Sequence, residues 1–431
     1  MKMKKHGLSK VVAAAVVTSL MTFGFSSGAL AAKEEKPSLT SEVAAKLKPS
    51  QDAIQKGEFD KGIQLASEAL AISKKPYDRE QSLQFLRFGY GKKVAATGNG
   101  VDPEGYTAAL NGLVGVLEQM EDTVTMSVDD RVKNLKLIAQ IHAQNKDYPG
   151  AIQFASRWAQ ATDGTNDKDK IHEAYSFLSS LYLMQKDYAN GAPALEKAVA
   201  AVPANETELR QLYFAYYNLK DNARREGMLT RLALEFPKAD YYADLISLYQ
   251  EQSTPDNVML EMYRYCNELG MLSRESQFVE YADMANNVGS PTEAARIIHK
   301  GVDAGAVKLI SPTDRNSRLV KFADQGAADD KRDFAKIEKE FVARINGDID
   351  VKLGMSYLMQ GDTDKAIDAI SRGVSAQRLA QVKKPEDAYM LLGLAQYRKG
   401  DKAAATAAFT SASNYPAMRK VANLWLSQLQ K

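Results

Sequence analysis

The feature that most constrains this chain is a repeated pair of short amphipathic segments, joined by tight polar turns. Apolar residues recur at spacings of three and four, which predicts helices, and turn residues interrupt them every 12 to 20 residues. No sustained alternation of apolar and polar residues indicates strands. Pro203 and Pro237, which end two successive pairs, are 34 residues apart. These spacings predict an all-α chain of stacked antiparallel helix hairpins.

The sharpest copies share an aromatic residue, a Leu-Gly pair, a Gly-Asp turn and a small residue, as at Tyr389, Leu392-Gly393, Tyr397, Gly400-Asp401 and Ala405. This pattern resembles the tetratricopeptide repeat (TPR), with Tyr in place of its Trp. The resemblance implies a right-handed TPR-like α-solenoid. It is most specific at 172–237 and 350–415, and it is degenerate at 77–125 and 312–345. The stretch from Pro312 to Arg344 is predicted to hold two helices with long charged segments.

Small residues recur where the two helices of a hairpin would meet: Gly354, Gly393, Ala151, Ala294, Ala366 and Ala405. A larger side chain at such a position would hold the helices apart, because protein interiors are close-packed. After Pro416 one helical face is apolar, which predicts a C-terminal capping helix over 416–430. Its inward residues would be Met418, Val421, Leu424, Trp425 and Leu429.

The N-terminus has the layout of a secretory signal peptide. Four lysines precede an uncharged run from Val11 to Phe25, and Ala29-Leu30-Ala31 is a small-x-small cleavage pattern. We expect cleavage after Ala31, since the run is too short and too Ala-rich to favour the alternative, an uncleaved membrane anchor. The predicted organisation is a leader over 1–31, N-terminal and central repeats over 32–311, and C-terminal repeats with their cap over 312–431. One continuous solenoid and two separate arrays are both compatible with the sequence.

The charge balance disfavours several classes of partner. Lys and Arg number 56 against 54 acidic residues, a net of +2, and four of those basic residues precede Ala32, so the mature chain carries −2. A protein that neutralises many phosphates needs a basic excess, which predicts no nucleic-acid partner. No later apolar run approaches about 20 residues, which predicts no membrane insertion of the mature chain. We predict a periplasmic protein, with secretion as the alternative.

The sequence lacks a complete catalytic motif. His172-Glu173 is not followed by the second histidine of a zinc protease motif, and no phosphate-binding loop has the required spacing. Residues that could act as ligands or nucleophiles are predicted to be packing, surface or loop residues: Cys266, His142, His299, Asp163, Asp167 and Asp169. We therefore predict no enzymatic activity, no cofactor and no metal. A cell-wall hydrolase is the disfavoured alternative.

What remains is a binding surface, because the first helix of each hairpin in this fold would line a concave face. Projecting the repeat places there Arg210, Phe214, Tyr217, Asn218, Tyr241, Asp244, Asn286, Asn287, Tyr397 and Arg398, with apolar Leu183, Met184, Leu248, Met355, Leu358, Met359, Met390 and Leu394. Aromatic and Arg side chains are typical anchors of bound peptides. Alternatively, Phe214 and Tyr217 pack on the preceding repeat, since a register error of one residue exchanges the faces. The set lacks the basic Lys/Asn clamp that some TPR proteins use for acidic C-termini, which disfavours that mode.

A looser pattern runs through the C-terminal half, from Met262-Tyr263-Arg264-Tyr265 and Leu269-Gly270-Met271-Leu272 through Ala294-Ala295-Arg296-Ile297-Ile298, Gly301 and Ala304-Gly305 to Ala422-Asn423-Leu424-Trp425-Leu426. It resembles exported TPR proteins encoded beside TonB-type energy-transduction systems. That resemblance implies a scaffold that binds a periplasmic segment of an envelope complex and assists TonB-dependent transport. The alternative function is a chaperone or assembly factor for secretion or polysaccharide export, which has the same fold and compartment.

Overall fold

A computed structural model describes residues 37–98, 102–343 and 346–431. The predicted leader, residues 1–31, lies outside these ranges. Throughout the described ranges the regular elements are helices and no strand is present, which confirms the all-α prediction. None of the described helices is long and apolar enough to cross a bilayer.

The backbone forms two compact units, the first comprising the described part of Met1–Glu208 with Phe214–Lys220, and the second Leu209–Tyr213 with Asp221–Lys431. The predicted domain boundary at 311 falls inside the second unit. In the first unit the helices pair as successive hairpins, α1 with α2, α3 with α4, α5 with α6 and α7 with α8. Their bounds, with those of α9, which contributes to both units, are α1 Ser41–Gln55, α2 Phe59–Ile72, α3 Pro76–Thr97, α4 Pro103–Thr123, α5 Val128–Gln144, α6 Tyr148–Asp163, α7 Lys168–Met184, α8 Tyr188–Ala201 and α9 Glu206–Leu219.

The second unit continues the same hairpin plan, and its last helix packs on earlier helices as well as on its neighbour. A 3-10 turn, Leu379–Gln381, precedes the final repeats. The helices are α10 Asn222–Glu235, α11 Ala239–Glu251, α12 Asp256–Glu268, α13 Glu275–Asn287, α14 Pro291–Asp303, α15 Arg315–Ala343, α16 Gly347–Gln360, α17 Thr363–Gly373, α18 Pro385–Lys399, α19 Lys402–Ser413 and α20 Arg419–Leu429.

A connection of two or three residues joins the two helices of many hairpins. Its last two residues are one with a left-handed backbone and an aspartate. The aspartate side chain accepts a hydrogen bond from the backbone N–H three residues on, which caps the following helix. The φ angle is 60° at Lys186 and 85° at Gly400. The capping aspartates are Asp147, Asp187, Asp221, Asp362 and Asp401. So short a connection leaves the helices antiparallel neighbours, as predicted.

Helix crossings occur at the predicted small residues. A Cβ atom added at Gly393 would lie 2.5 Å from the Phe409 ring, and one at Gly354 would meet the Ile370 side chain and the Ala366 carbonyl oxygen. The alanines predicted for such crossings, Ala151, Ala294, Ala366 and Ala405, are fully buried. The repeat register derived from the sequence is therefore correct at these positions.

The two degenerate stretches differ from the repeat in helix length. The first holds α3 and α4, of 22 and 21 residues, which are longer than a TPR helix and so break the period. The second was predicted to hold two helices, and this is wrong, because α15 runs unbroken for 29 residues. No Gly-Asp turn interrupts it, and charged pairs three residues apart, such as Arg332 with Asp329 at 2.7 Å, support a continuous helix.

The C-terminal helix α20 caps the last hairpin, as predicted, and also closes the second unit onto itself. Trp425 is buried among three rings: it stacks on Phe409 at 4.9 Å and meets the edges of Tyr397 at 4.8 Å and Tyr265 at 5.0 Å between centroids. Tyr265 belongs to α12, so the last helix packs on one far earlier in the chain. Aromatic contacts of this kind add to the hydrophobic stabilisation of the buried rings.

A buried ionic cluster lies beside this contact. The Arg264 guanidinium donates to both Glu293 oxygens at 2.9 and 2.6 Å and to Glu261 at 2.5 Å, and the Tyr281 hydroxyl donates to Glu293 at 2.7 Å. Burial raises the pKa of Glu261 to about 7, against the opposing charge of Arg264. Burial acts the same way on Glu293, but the two hydrogen-bonding partners outweigh it and leave its pKa lowered. Two buried carboxyl groups beside the same arginine therefore have pKa values shifted in opposite directions.

Candidate partner-binding site

The exposed face of α9 carries the most prominent aromatic pair predicted from the sequence. The helix begins with a capping box between Asn205 and Glu208, which fixes its start and therefore its register. Leu209, Leu212, Ala215 and Tyr216 are buried on one face. Phe214 and Tyr217 lie on the other face and are 54% and 56% exposed.

Neighbouring side chains extend this surface. The ring of Tyr188, the first residue of α8, meets the edge of Phe214 at 5.9 Å between centroids. Phe214 therefore packs against the preceding repeat, as the alternative prediction held, and still leaves about half of its side chain exposed. Met184, at the end of α7, and Leu219, at the end of α9, are also exposed. We name the set that shares one face and a ring contact, Tyr188, Phe214 and Tyr217, the α9 surface.

Two polar residues predicted with this pair lie on the same helix. Arg210 is exposed and precedes Phe214 by one helical turn. The Asn218 side-chain amide donates to the carbonyl oxygen of Phe214 at 2.7 Å, within α9. Asn218 thus makes a local contact, while its exposed position keeps it at the edge of the α9 surface.

The other predicted residues belong to the second unit and do not form one surface with shared contacts. The ammonium of Lys238 lies 5.9 Å from the centre of the half-buried Tyr241 ring, and Asp244 pairs with Arg274 at 3.2 Å. Asn287 is exposed. Asn286 is half-buried, and the buried nitrogen of its side-chain amide has no hydrogen-bond partner among the described residues. The Tyr397 ring contacts Trp425 and so contributes to the core.

Of the apolar residues projected onto the concave face, Met184 is exposed, and Leu183 and Met355 are half-buried. The other five are wrong as surface positions, because the helices of the second unit pack on additional neighbours that a simple hairpin projection omits. These buried residues are Leu248, Leu358, Met359, Met390 and Leu394.

The potentially reactive side chains have structural contacts. Cys266 is buried, and burial raises its thiol pKa far above the ordinary range. His142 bonds to Asp147 at 2.7 Å, and His299 bonds to Asp324 at 2.7 Å. Asp167 caps α7, and Asp163 accepts from the Tyr175 hydroxyl at 2.9 Å. Across the described residues, no cluster of three or more His, Cys, Asp and Glu could hold a metal ion.

Sequence reasoning missed a polar cleft in the second unit, although it placed two of the lining residues, Leu358 and Arg398, on the projected face. The cleft has a volume of about 440 Å³ and is lined by residues of α12, α14, α16, α17 and α18, including Asn267, Glu268, Arg296, Lys300 and Arg398. Arg296 and Lys300 are four residues apart and therefore share a helix face, which is the one local signal in the sequence. The helices that face them come together only through the folding of the whole unit.

Comparison with known proteins supports the repeat assignment. Residues 351–418 match the family model of the tetratricopeptide repeat, and they span α16 to α19. No curated protein matches the chain. The C-terminal hairpins are tetratricopeptide repeats.

Solved structures of low similarity include other helical-repeat proteins. A tetratricopeptide repeat protein from Parabacteroides merdae is 13% identical, with 70% of this chain and 100% of that chain covered and a TM-score of 0.26. The P58(IPK) TPR domain is 11% identical, with 90% and 98% covered and a TM-score of 0.24. Naa15/Naa10 bound to HypK-THB is 13% identical, with 88% and 65% covered and a TM-score of 0.25.

Proposed function

We propose that this protein with tetratricopeptide repeats is a protein–protein interaction scaffold, and that its α9 surface binds a segment of the partner. The observation that carries the proposal is the exposure of Phe214 and Tyr217 on one helix face. Stacked helix hairpins offer extended surfaces that proteins of this architecture use for binding. The fold class alone does not identify the partner, so the kind of segment that is bound must be inferred from the side chains of the binding surface.

The chemistry of the α9 surface fits a segment with apolar side chains. Phe and Tyr bury large areas and lose few rotatable bonds on binding, so they contribute strongly at interfaces. In the turns before α8 and α10 the lysines Lys186 and Lys220 are each followed by an aspartate, so these turns favour neither sign of charge in the partner.

We further propose a periplasmic location and a role beside a TonB-type transport complex. The support is the secretory leader over 1–31 and the resemblance in the C-terminal half. The partner would then be a periplasmic segment of that envelope complex. No activity of this chain's own is needed for the role, which consists of holding another protein.

The test is photo-crosslinking in the native envelope from a benzoylphenylalanine placed at position 218, at the edge of the α9 surface, followed by partner identification. Phe214→Ala with Tyr217→Ala should reduce the yield of the crosslinked partner at least tenfold. The matched control is Phe322→Ala, which removes another exposed aromatic residue, from α15. All three residues are exposed, so thermal unfolding should change little. Undiminished crosslinking in the double variant would refute the α9 surface as the binding site.

A further inference from the structure

The cleft of the second unit has a positive lining. Arg296 and Lys300 extend from α14 and Arg398 from α18, and the one lining carboxylate is Glu268 at the end of α12. Three cations against one anion leave a formal charge of +2. Like charges that share a site repel one another, so binding of an anion between them is electrostatically favoured.

Glu268 neutralises only Arg398. The Arg398 guanidinium donates to the two Glu268 oxygens at 2.7 and 3.3 Å, and both side chains are mostly buried. This pair is rigid, because two parallel hydrogen bonds fix its geometry. It forms one wall of the cleft, and among the described residues neither Arg296 nor Lys300 has an ion-pair partner within 4 Å.

Among the described residues, the hydrogen-bond acceptors of those two cations are all neutral. Lys300 donates to the carbonyl oxygen and the side-chain oxygen of Asn267, at 3.3 and 2.8 Å. Arg296 contacts the Met359 sulfur at 3.7 Å, and a thioether is a weak acceptor. A guanidinium has five N–H donors, so most of the hydrogen-bonding capacity of Arg296 is available to a ligand.

We propose that this cleft binds a small organic dicarboxylate, with one carboxylate on Arg296 and the other on Lys300. The planar guanidinium fits the two oxygens of a carboxylate, and the ammonium supplies the second charge. Two negative charges match the formal +2 of the lining. A volume of about 440 Å³ is within the range of small-molecule sites. The proposal is independent of the α9 surface, which belongs to the first unit.

The same pair of carboxylates could be presented by a peptide that ends in aspartate. Two probes separate these sources: succinate, with succinamide as its uncharged control, and acetyl-Ala-Ala-Asp, with its C-terminal amide as the control. Each is titrated by calorimetry into the purified mature chain at low ionic strength. We expect succinate to bind and succinamide to produce no heat.

Arg296→Gln should weaken succinate binding at least tenfold, and Lys300→Gln should do the same. The matched control is Lys399→Gln, which removes a cation next to Arg398 that pairs with Asp364 outside the cleft lining. It should change affinity less than twofold. Arg296, Lys300 and Lys399 are all exposed, so unfolding temperatures serve to verify that each variant remains folded.

In one outcome the peptide acid binds more tightly than succinate and loses its affinity on amidation and in Arg296→Gln. That result would support recognition of two carboxylates and would identify the ligand as the C-terminus of a protein. Absence of binding by both acids at millimolar concentration would overturn the proposal. Equal weakening by Lys399→Gln and Arg296→Gln would also overturn it, because it would indicate general attraction to positive charge. Neither outcome bears on the α9 surface, whose test uses a different unit and readout.

Discussion

The two units use the same hairpin rules but differ in what their interiors contain. In the first unit Glu121 is buried, yet its partners Arg131 and Arg157 have side chains 50% and 30% exposed. In the second unit Arg264 and both of its carboxylate partners are buried. The second unit also joins its last helix to an early one through Trp425 and Tyr265. Repeat rules therefore specify contacts between neighbours, whereas the second unit adds contacts between residues that are distant in sequence.

The largest expected effect comes from removing one buried tryptophan in each unit. Trp425→Ala and Trp158→Ala should each lower the free energy of unfolding by about 3–5 kcal/mol, because each leaves a large cavity. Hydrogen exchange distinguishes them: Trp425→Ala should accelerate exchange in α12, more than 150 residues earlier in the chain, and Trp158→Ala should not. Unchanged exchange of α12 in Trp425→Ala would contradict the closure.

A smaller effect should appear in the pH dependence of stability. The folded protein keeps the Glu261 proton up to about pH 7 and the unfolded chain only to about 4.5, so this group's contribution falls as pH rises between those values. Glutamine has no proton to lose, so Glu261→Gln does not share this pH dependence. Its free energy of unfolding should rise by about 1–3 kcal/mol relative to that of the wild type between pH 4.5 and pH 7.

Glu293→Gln is the matched control and should behave in the opposite way. The folded pKa of Glu293 is lowered, so its contribution is present above about pH 4.5 and is lost as pH falls further. The deficit of Glu293→Gln should therefore be larger at pH 7 than at pH 4. Urea unfolding across this range measures the free energy of unfolding of both variants. Parallel pH profiles would contradict the opposite pKa shifts of the two carboxyl groups.

The smallest effect concerns the turns. Lys186 in the first unit and Gly400 in the second occupy the same left-handed turn position. Lys186→Gly should stabilise by about 0.5 kcal/mol and Gly400→Lys should destabilise by about 1 kcal/mol, because a Cβ atom disfavours that conformation. Chemical denaturation measures both changes. Effects of the same sign would mean that the two turns are not equivalent.

Sequence reasoning succeeded for contacts within one hairpin and failed for contacts between residues that are distant in sequence. Gly393, Asp401 and Ala405 were placed correctly because their roles depend on residues within one hairpin. Leu358 and Met390 were misplaced because neighbours outside the hairpin bury them. The cleft around Arg296 was missed for the same reason, since Glu268 and Arg398 meet across 130 residues of chain. For Phe214 and Tyr217 the sequence left exposure and packing on the preceding repeat as alternatives, because only the packed neighbour, Tyr188, decides how much of each ring is covered.

The contact between Trp425 and Tyr265 also has a consequence for the order of folding during synthesis. Hairpins of the first unit can acquire their neighbours one after another as the chain emerges. The ring of Tyr265 on α12 lacks its final partner until Trp425, 160 residues further along the chain, has been translated. The second unit therefore completes its core late, and a truncation of its last dozen residues would expose an aromatic surface far upstream.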